Sequence, residues 1–173
     1  MIAHYRHAAG GAFRVKNDVD PSVDNFPPGK VTDLTVSNLE NAVNLWFTSP
    51  GDDLDSADPV AGYTIKYSST AGNLTGSSFD DEEFNSVITE DNLLDSDLTP
   101  VGGGTVKAIK ISRSIFTPEK KYVFALIATD ESGKRSPVSN TAQLFISPDN
   151  RSAASKMPTT CVVFISFLMF MSL

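Results

Sequence analysis

Apolar and polar residues alternate with a period of two in a series of short runs between Val31 and Ile146. Leu34 and Val36 alternate with Thr35 and Ser37. Val43, Leu45 and Phe47 alternate with Asn44, Trp46 and Thr48, and that run stops at Pro50-Gly51. Tyr63, Ile65 and Tyr67 follow Gly62, and Ile109 and Ile111 mark another run. The longest holds Tyr122, Phe124, Leu126 and Ala128. It is entered from Phe116 and Pro118, closes in a polar turn on Gly133 and is followed by a last strand, the run continuing to Ser139-Asn140. A period of two is the mark of a strand with one buried face. Short strands at this spacing, with no sustained helical pattern, predict an all-β antiparallel β-sandwich. Tyr122, just after Phe116 and Pro118, predicts a tyrosine at the corner between two strands.

The segments between and beyond these runs set the expected organisation. Residues 1–26 read as the end of a preceding β region, with Gly10-Gly-Ala-Phe-Arg-Val15 as one strand, and a linker rich in turn formers. The sandwich domain is expected over 27–146. Within it, residues 68–104 are rich in Ser, Gly and Asp and read as loop, with Gly102-Gly103-Gly104 as a flexible end. Residues 147–160 form a polar linker, and both termini are expected to be flexible. Cys161 to Leu173 is an uncharged apolar tail of thirteen residues, short of the ~20 that a spanning helix needs. Small residues, Ser152, Ala153, Ala154 and Ser155, and a polar spacer precede it, the arrangement of a lipid-anchor signal. A truncated membrane segment is the alternative. The opening, Met1-Ile-Ala-His-Tyr-Arg-His7, lacks the apolar core of a secretory signal.

Charge narrows the partners. The 173 residues carry a net charge of −7, and the acid is concentrated: between Gly51 and Thr99 twelve Asp or Glu stand against one base, Lys66. Nucleic acid is therefore not an expected partner. The single cysteine, Cys161, excludes an internal disulfide and any cysteine-rich zinc site. Stability must come from core burial, which a sandwich of this length can supply.

Candidate chemistry is sparse. Asp52, Asp53, Asp55 and Asp58 offer the carboxylate oxygens that calcium prefers, but without the Gly and Glu offsets of an EF-hand. A solvated turn is the alternative, and no other cofactor is implied. Asp80-Asp81-Glu82-Glu83 reads as a mutually repelling exposed loop. His4 and His7 have no third ligand near them in the chain. Asn73-Leu-Thr75 and Asn150-Arg-Ser152 are N-glycosylation sequons, making Asn73 and Asn150 the glycosylation candidates of a secreted glycoprotein. The predicted sandwich contains no histidine or cysteine, so no Cys–His or Ser–His pair can be built there. No catalytic residue is assigned, and the chain is not expected to be an enzyme.

Taken together, Leu34 and Val36, Tyr63-x-Ile65-x-Tyr67, Phe116-x-Pro118 with Tyr122, and Ala128-x-Asp130-x-x-Gly133 resemble a fibronectin type III domain, an immunoglobulin-like sandwich. On that resemblance Phe47, Tyr63, Pro118, Tyr122 and Gly133 are the fold-defining residues. That fold family usually places a tryptophan on the core face of its second strand. Here Phe47 takes that place, and Trp46 falls on the opposite face. There it is either exposed as a contact residue or covered by the 68–104 segment.

A narrower likeness rests on Gly10-Gly-Ala-Phe-Arg-Val15, Phe26-Pro-Pro-Gly-Lys-Val-Thr-Asp-Leu34, Pro50-Gly-Asp-Asp53, Ala128-Thr-Asp130 and Val138-Ser-Asn-Thr-Ala142. These resemble the C-terminal part of the calcium-activated chloride channel regulator family. The resemblance implies a large cell-surface or secreted protein that modulates chloride conductance. It also implies an N-terminal metalloprotease-like domain and a von Willebrand type A domain. No His-Glu-x-x-His and no Asp-x-Ser-x-Ser occurs here, so a C-terminal fragment or reduced relative is expected. The expected function is a non-catalytic extracellular interaction module for a protein partner such as a chloride channel, with membrane attachment through the tail. The alternatives are a remnant of a metalloprotease-bearing parent and a free-standing adhesion-type sandwich.

Overall fold

The computed structural model describes residues 24, 26–54, 56–70, 74–83 and 85–148. Seven strands lie among them: β1 Thr35–Asn38, β2 Ala42–Thr48, β3 Gly62–Ser68, β4 Ser86–Val87, β5 Val106–Ser112, β6 Lys120–Thr129 and β7 Ala142–Ile146. They form a three-stranded sheet, β1-β2-β5, and a four-stranded sheet, β4-β3-β6-β7, with every pairing antiparallel. This is a fibronectin type III-like sandwich.

Register follows the alternation. Leu45 pairs with Ile109 and Val43 with Ile111, while Ile65 pairs with Leu126 and Tyr67 with Phe124. A shift of one residue would turn each of these rows outward, so burial of one face specifies the pairing. The two inner faces meet in one core that includes Val43, Leu45, Phe47, Ile65, Ile109, Ile111, Phe124 and Leu126. Phe47 is 1% exposed and meets Tyr63 edge-on, with ring centroids 5.1 Å apart. At the corner the Tyr122 hydroxyl accepts a hydrogen bond from the Thr117 amide at 3.0 Å, and its ring lies 5.1 Å from that of Phe116. Pro118 is exposed beside this contact.

Strand β6 departs from simple alternation. Tyr122 to Ala128 is buried on both faces. Val123, Ala125 and Ile127, on the outer face, form a second apolar cluster with Leu74 and Phe79. The roof comes from residues 74–83, which include a 3-10 turn over Gly76–Asp80. Lys66, also buried, reaches up from β3 and donates to the Phe79 carbonyl at 2.9 Å, with its ammonium 5.2 Å from the Phe79 ring centre. Arg135 grips Asp80 with both guanidinium nitrogens, at 2.8 and 2.7 Å. The expectation that 68–104 is plain loop is therefore corrected for part of its length. Leu74, Phe79 and Ile88 are core residues, and isolated apolar residues in a Ser- and Asp-rich stretch give no periodic signal.

The expected flexible Gly102–Gly104 end is also different. A Cβ on Gly103 would stand 1.9 Å from the Ser56 carbonyl oxygen, so this glycine is required by a close approach of two loops. Gly133 is required for another reason, its φ of +83°.

Sequence continuity closes the remaining edge. The Ser136 and Ser139 hydroxyls accept from the amides of Ala128 and Leu126, at 2.9 and 3.0 Å, and their own amides donate back to the carbonyls of those residues. Short side chains thus extend the pairing of β6 ahead of β7. Asn140 then bridges to the other sheet, accepting from the Leu34 amide at 2.8 Å and donating to the Leu34 carbonyl at 2.9 Å.

Two substitutions test this account by urea denaturation. Phe79→Ala is expected to cost about 3–5 kcal/mol, the range for a buried aromatic, whereas an exposed loop residue would cost almost nothing. Tyr122→Phe is expected to cost about 1 kcal/mol, the net worth of one hydrogen bond.

Candidate functional site

The loops between β2 and β3 and between β6 and β7 come together at the end of the sandwich where the chain enters. The first loop folds on itself. Gly51 bridges Pro59, the Asp52 amide donates to the Asp58 carbonyl at 3.0 Å, and the Ser56 amide donates to the Asp53 carbonyl at 2.9 Å. Its tip pairs with the entering chain: the Leu54 amide donates to the Pro27 carbonyl at 3.2 Å, and the Gly29 amide donates to the Leu54 carbonyl at 3.1 Å. Leu54 adopts the left-handed conformation, φ +52°, which costs an L-residue about 1–2 kcal/mol. Its side chain is nevertheless 50% exposed, and Phe26 beside this pairing is 55% exposed.

The electrostatics of this pole centre on Lys134. Its ammonium forms a close ion pair with Asp24 and also donates to the Asp24 carbonyl at 3.0 Å. The same ammonium lies 3.9 Å from Asp130 Oδ2, while the Lys134 amide donates to Asp130 Oδ1 at 2.7 Å. Asp130 is 2% exposed, and its Oδ2 has no hydrogen-bond donor. Asp52 Oδ1 is likewise buried without a donor. The Asp24 carboxyl is held down to about 2, chiefly by its hydrogen bond to Lys134 and then by that to Ser132. Asp52 is pushed the other way, first by burial and then by the charges of Asp130, Asp53, Glu131 and Asp24. One ammonium thus stands among several carboxylates, and the pole remains anionic.

The remaining candidates divide. Asp52, Asp53 and Asp58 share the first loop, but no three metal-ligating side chains converge among the described residues. Asp55, Asn73 and Asn150 lie outside the described residues, as do His4, His7 and the apolar tail. Trp46 is half-buried on the outer face of the three-stranded sheet, in register with Thr35 and Ala108. The roof formed by residues 74–83 lies on the other sheet. Asp80 is paired with Arg135 rather than merely solvated. Sequence reasoning missed Asp24, Asp130 and Lys134 as a group. Asp130 and Lys134 flank Gly133, but Asp24 is 110 residues from Lys134.

The opposite end holds a shallow cleft of about 390 Å³ lined by Glu40, Asn41, Ser112, Arg113, Ser114, Phe116 and Pro118. Its two serines face each other at 2.7 Å, with no histidine in its lining to activate either one.

No protein-family model matches the chain. Among curated proteins, it is 33% identical to calcium-activated chloride channel regulator 2 of Mus musculus over 161 residues, covering 85% of this chain and 16% of the relative. It is 33% identical to calcium-activated chloride channel regulator 1 of Sus scrofa over 156 residues, covering 86% and 16%. Regulator 2 of Homo sapiens is 31% identical over 161 residues, covering 84% and 16%. The chain spans about one sixth of the length of these relatives. Among solved structures, titin module A71 from human cardiac muscle overlays with a TM-score of 0.41 at 16% identity, covering 74% of this chain and 98% of that one. A myokine overlays with a TM-score of 0.41 at 15% identity, covering 70% and 99%. The fold assignment rests on the strand order and register above.

The opposed shifts give a pH test. Asp24, Asp80 and Asp97 are lowered by Lys134, Arg135 and Lys107, and Asp33 by Thr48 against the effect of burial. The stability they contribute is complete above the ordinary carboxylate range of about 4 and is lost as pH falls through their folded values. The urea midpoint should therefore drop on acidification below about pH 4. Asp52 is raised, so its contribution is present at low pH and lost as pH rises. Asp52→Asn should raise the midpoint at neutral pH, with the gain disappearing in acid; a lower neutral midpoint would contradict the assignment.

Proposed function

We propose, because this chain belongs to the calcium-activated chloride channel regulator family over most of its length, that it is a non-catalytic protein-interaction module that modulates chloride conductance. The observation that carries this reading is the likeness to regulators along 85% of the chain, set on a rigid sandwich whose loops gather at one pole. The name of those relatives states regulation of a channel, and a sandwich whose loops hydrogen-bond to themselves and to the entering chain above a packed core is suited to present a fixed surface.

A non-catalytic role fits the chemistry available. The sandwich has no histidine or cysteine, and Asp24, Asp80 and Asp97 are each engaged by a Lys or Arg that lowers their pKa, not held ready as bases. The module acts at the cell surface or as a secreted protein, N-glycosylated at Asn73 and Asn150, with residues 161–173 serving as the signal for a lipid anchor. Trp46 is a contact residue on the outer face of the three-stranded sheet. Calcium held by the Asp52, Asp53, Asp55 and Asp58 loop is a secondary element of this proposal.

Patch-clamp recording of cells expressing this chain is expected to show an altered calcium-activated chloride current, and an unchanged current would overturn the channel role. Phospholipase treatment of the same cells is expected to release the protein into the medium; retention on the cells would overturn the anchor.

A further inference from the structure

We propose that the pole where the chain enters the sandwich is the docking surface, and that its partner presents a basic segment with apolar residues between its cations. This rests on the interaction-module reading and names the surface and the chemistry of what it takes.

Three observations meet there. Phe26 and Leu54, 55% and 50% exposed, stand on two segments joined backbone to backbone through Pro27, Gly29 and Leu54. Exposed apolar side chains on segments hydrogen-bonded to each other are the kind of centre around which an interface forms. Around them the exposed acids Asp53, Asp58 and Glu131 are answered by Lys134, which Asp24 already engages. Finally, the charge deficit extends inward: Asp130 is 98% buried by its 2% exposure, and its Oδ2 has no donor, as is true of the buried Asp52 Oδ1. The Lys134 ammonium, 3.9 Å from Asp130 Oδ2, is already paired with Asp24, so these carboxylates outnumber the cation that serves them. The potential over the apolar pair is therefore negative, and an incoming guanidinium or ammonium lowers it. Hydrogen bonds from such a cation would go to the exposed Asp53, Asp58 and Glu131.

The other acidic stretch provides an internal control. Asp80 is bound by Arg135 in a bidentate pair, and Asp81 accepts from the Glu83 amide. Beneath this stretch Phe79 is buried at 1% exposure. Among the described residues 79–83 no large apolar side chain is exposed, so a basic and apolar probe should prefer the entrance pole.

The test titrates the isotope-labelled full chain with a peptide of alternating arginine and leucine and follows its amide NMR signals. Saturable shifts at residues 26–30, 52–58 and 130–134, smaller at 80–83, are expected. Leu54→Ser and the pair Asp53→Lys with Glu131→Lys should each weaken binding by about tenfold or more, which is about 1.4 kcal/mol, with thermal melts confirming that each variant is folded. A peptide with serine in place of leucine should bind at least about tenfold more weakly. Shifts of equal size at 80–83, or binding indifferent to Leu54→Ser, would overturn the proposal in favour of nonspecific charge attraction. The same shifts produced by calcium alone would reassign the pole to a cation, and concentration-dependent self-association through these residues would reassign it to a second copy. If the chain alters chloride current while the peptide leaves the pole unperturbed, the docking surface is wrong and the module reading survives. Peptide binding without any effect on current would reverse that outcome.

Discussion

Strand β6 is paired on both edges, with β3 and β7, and covered on both faces. Its inner row, Tyr122, Phe124, Leu126 and Ala128, needs the opposing sheet. Its outer row, Val123, Ala125 and Ile127, needs a roof, which Leu74 and Phe79 provide. Burying each large apolar side chain contributes about 1.5–3 kcal/mol, so the segment between β3 and β4 is part of the fold rather than a tolerated insertion. Much of the remaining architecture follows from satisfying this strand. Lys66 is buried because the roof leaves it a carbonyl and an aromatic face as partners. The Ser136 and Ser139 hydroxyls replace backbone acceptors where β7 has not yet begun.

A core held in this way leaves the chemistry to the ends. The loops at the entrance pole are tied down by hydrogen bonds and close packing, with Gly103 pressed against Ser56 and Leu54 held in a left-handed conformation. Rigid loops can keep like charges close, because relaxation of the backbone is prevented by the packing beneath. Asp24 and Asp52 behave oppositely there: Asp24 is lowered by the cation beside it, whereas Asp52 is raised first by burial and then by the neighbouring carboxylates. The pole is thereby a charged surface of definite shape, which suits recognition better than turnover.

Particular residues show how far the chain could be read in advance. Phe47 and Tyr63 are buried in the core and Gly133 has a positive φ, as alternation and turn chemistry imply, and Tyr122 stands at the corner, where its hydroxyl accepts from the Thr117 amide. Trp46 does lie on the outer face, and its half-burial falls between the two expected outcomes. Phe79 was not legible, because one aromatic among serines and aspartates has no period to betray its burial. The acids of the Asp52–Asp58 loop were visible as a cluster, but nothing adjacent in the chain marked Lys134 as the cation shared by Asp24 and Asp130.

By itself the sequence determined most of the strands, their inward faces, the corner and the likeness to one family, since each of these depends on neighbours a few residues apart or on a motif with fixed spacing; β4, inside the segment read as loop, was not among them. Tertiary structure alone decided which sheet received the roof, that Gly103 admits no side chain, and that Asp24, Asp130 and Lys134 share one site. Those features depend on contacts between segments far apart along the chain, and the energies involved, burial and Coulombic attraction at a few ångströms, exist only once the sandwich has brought them together.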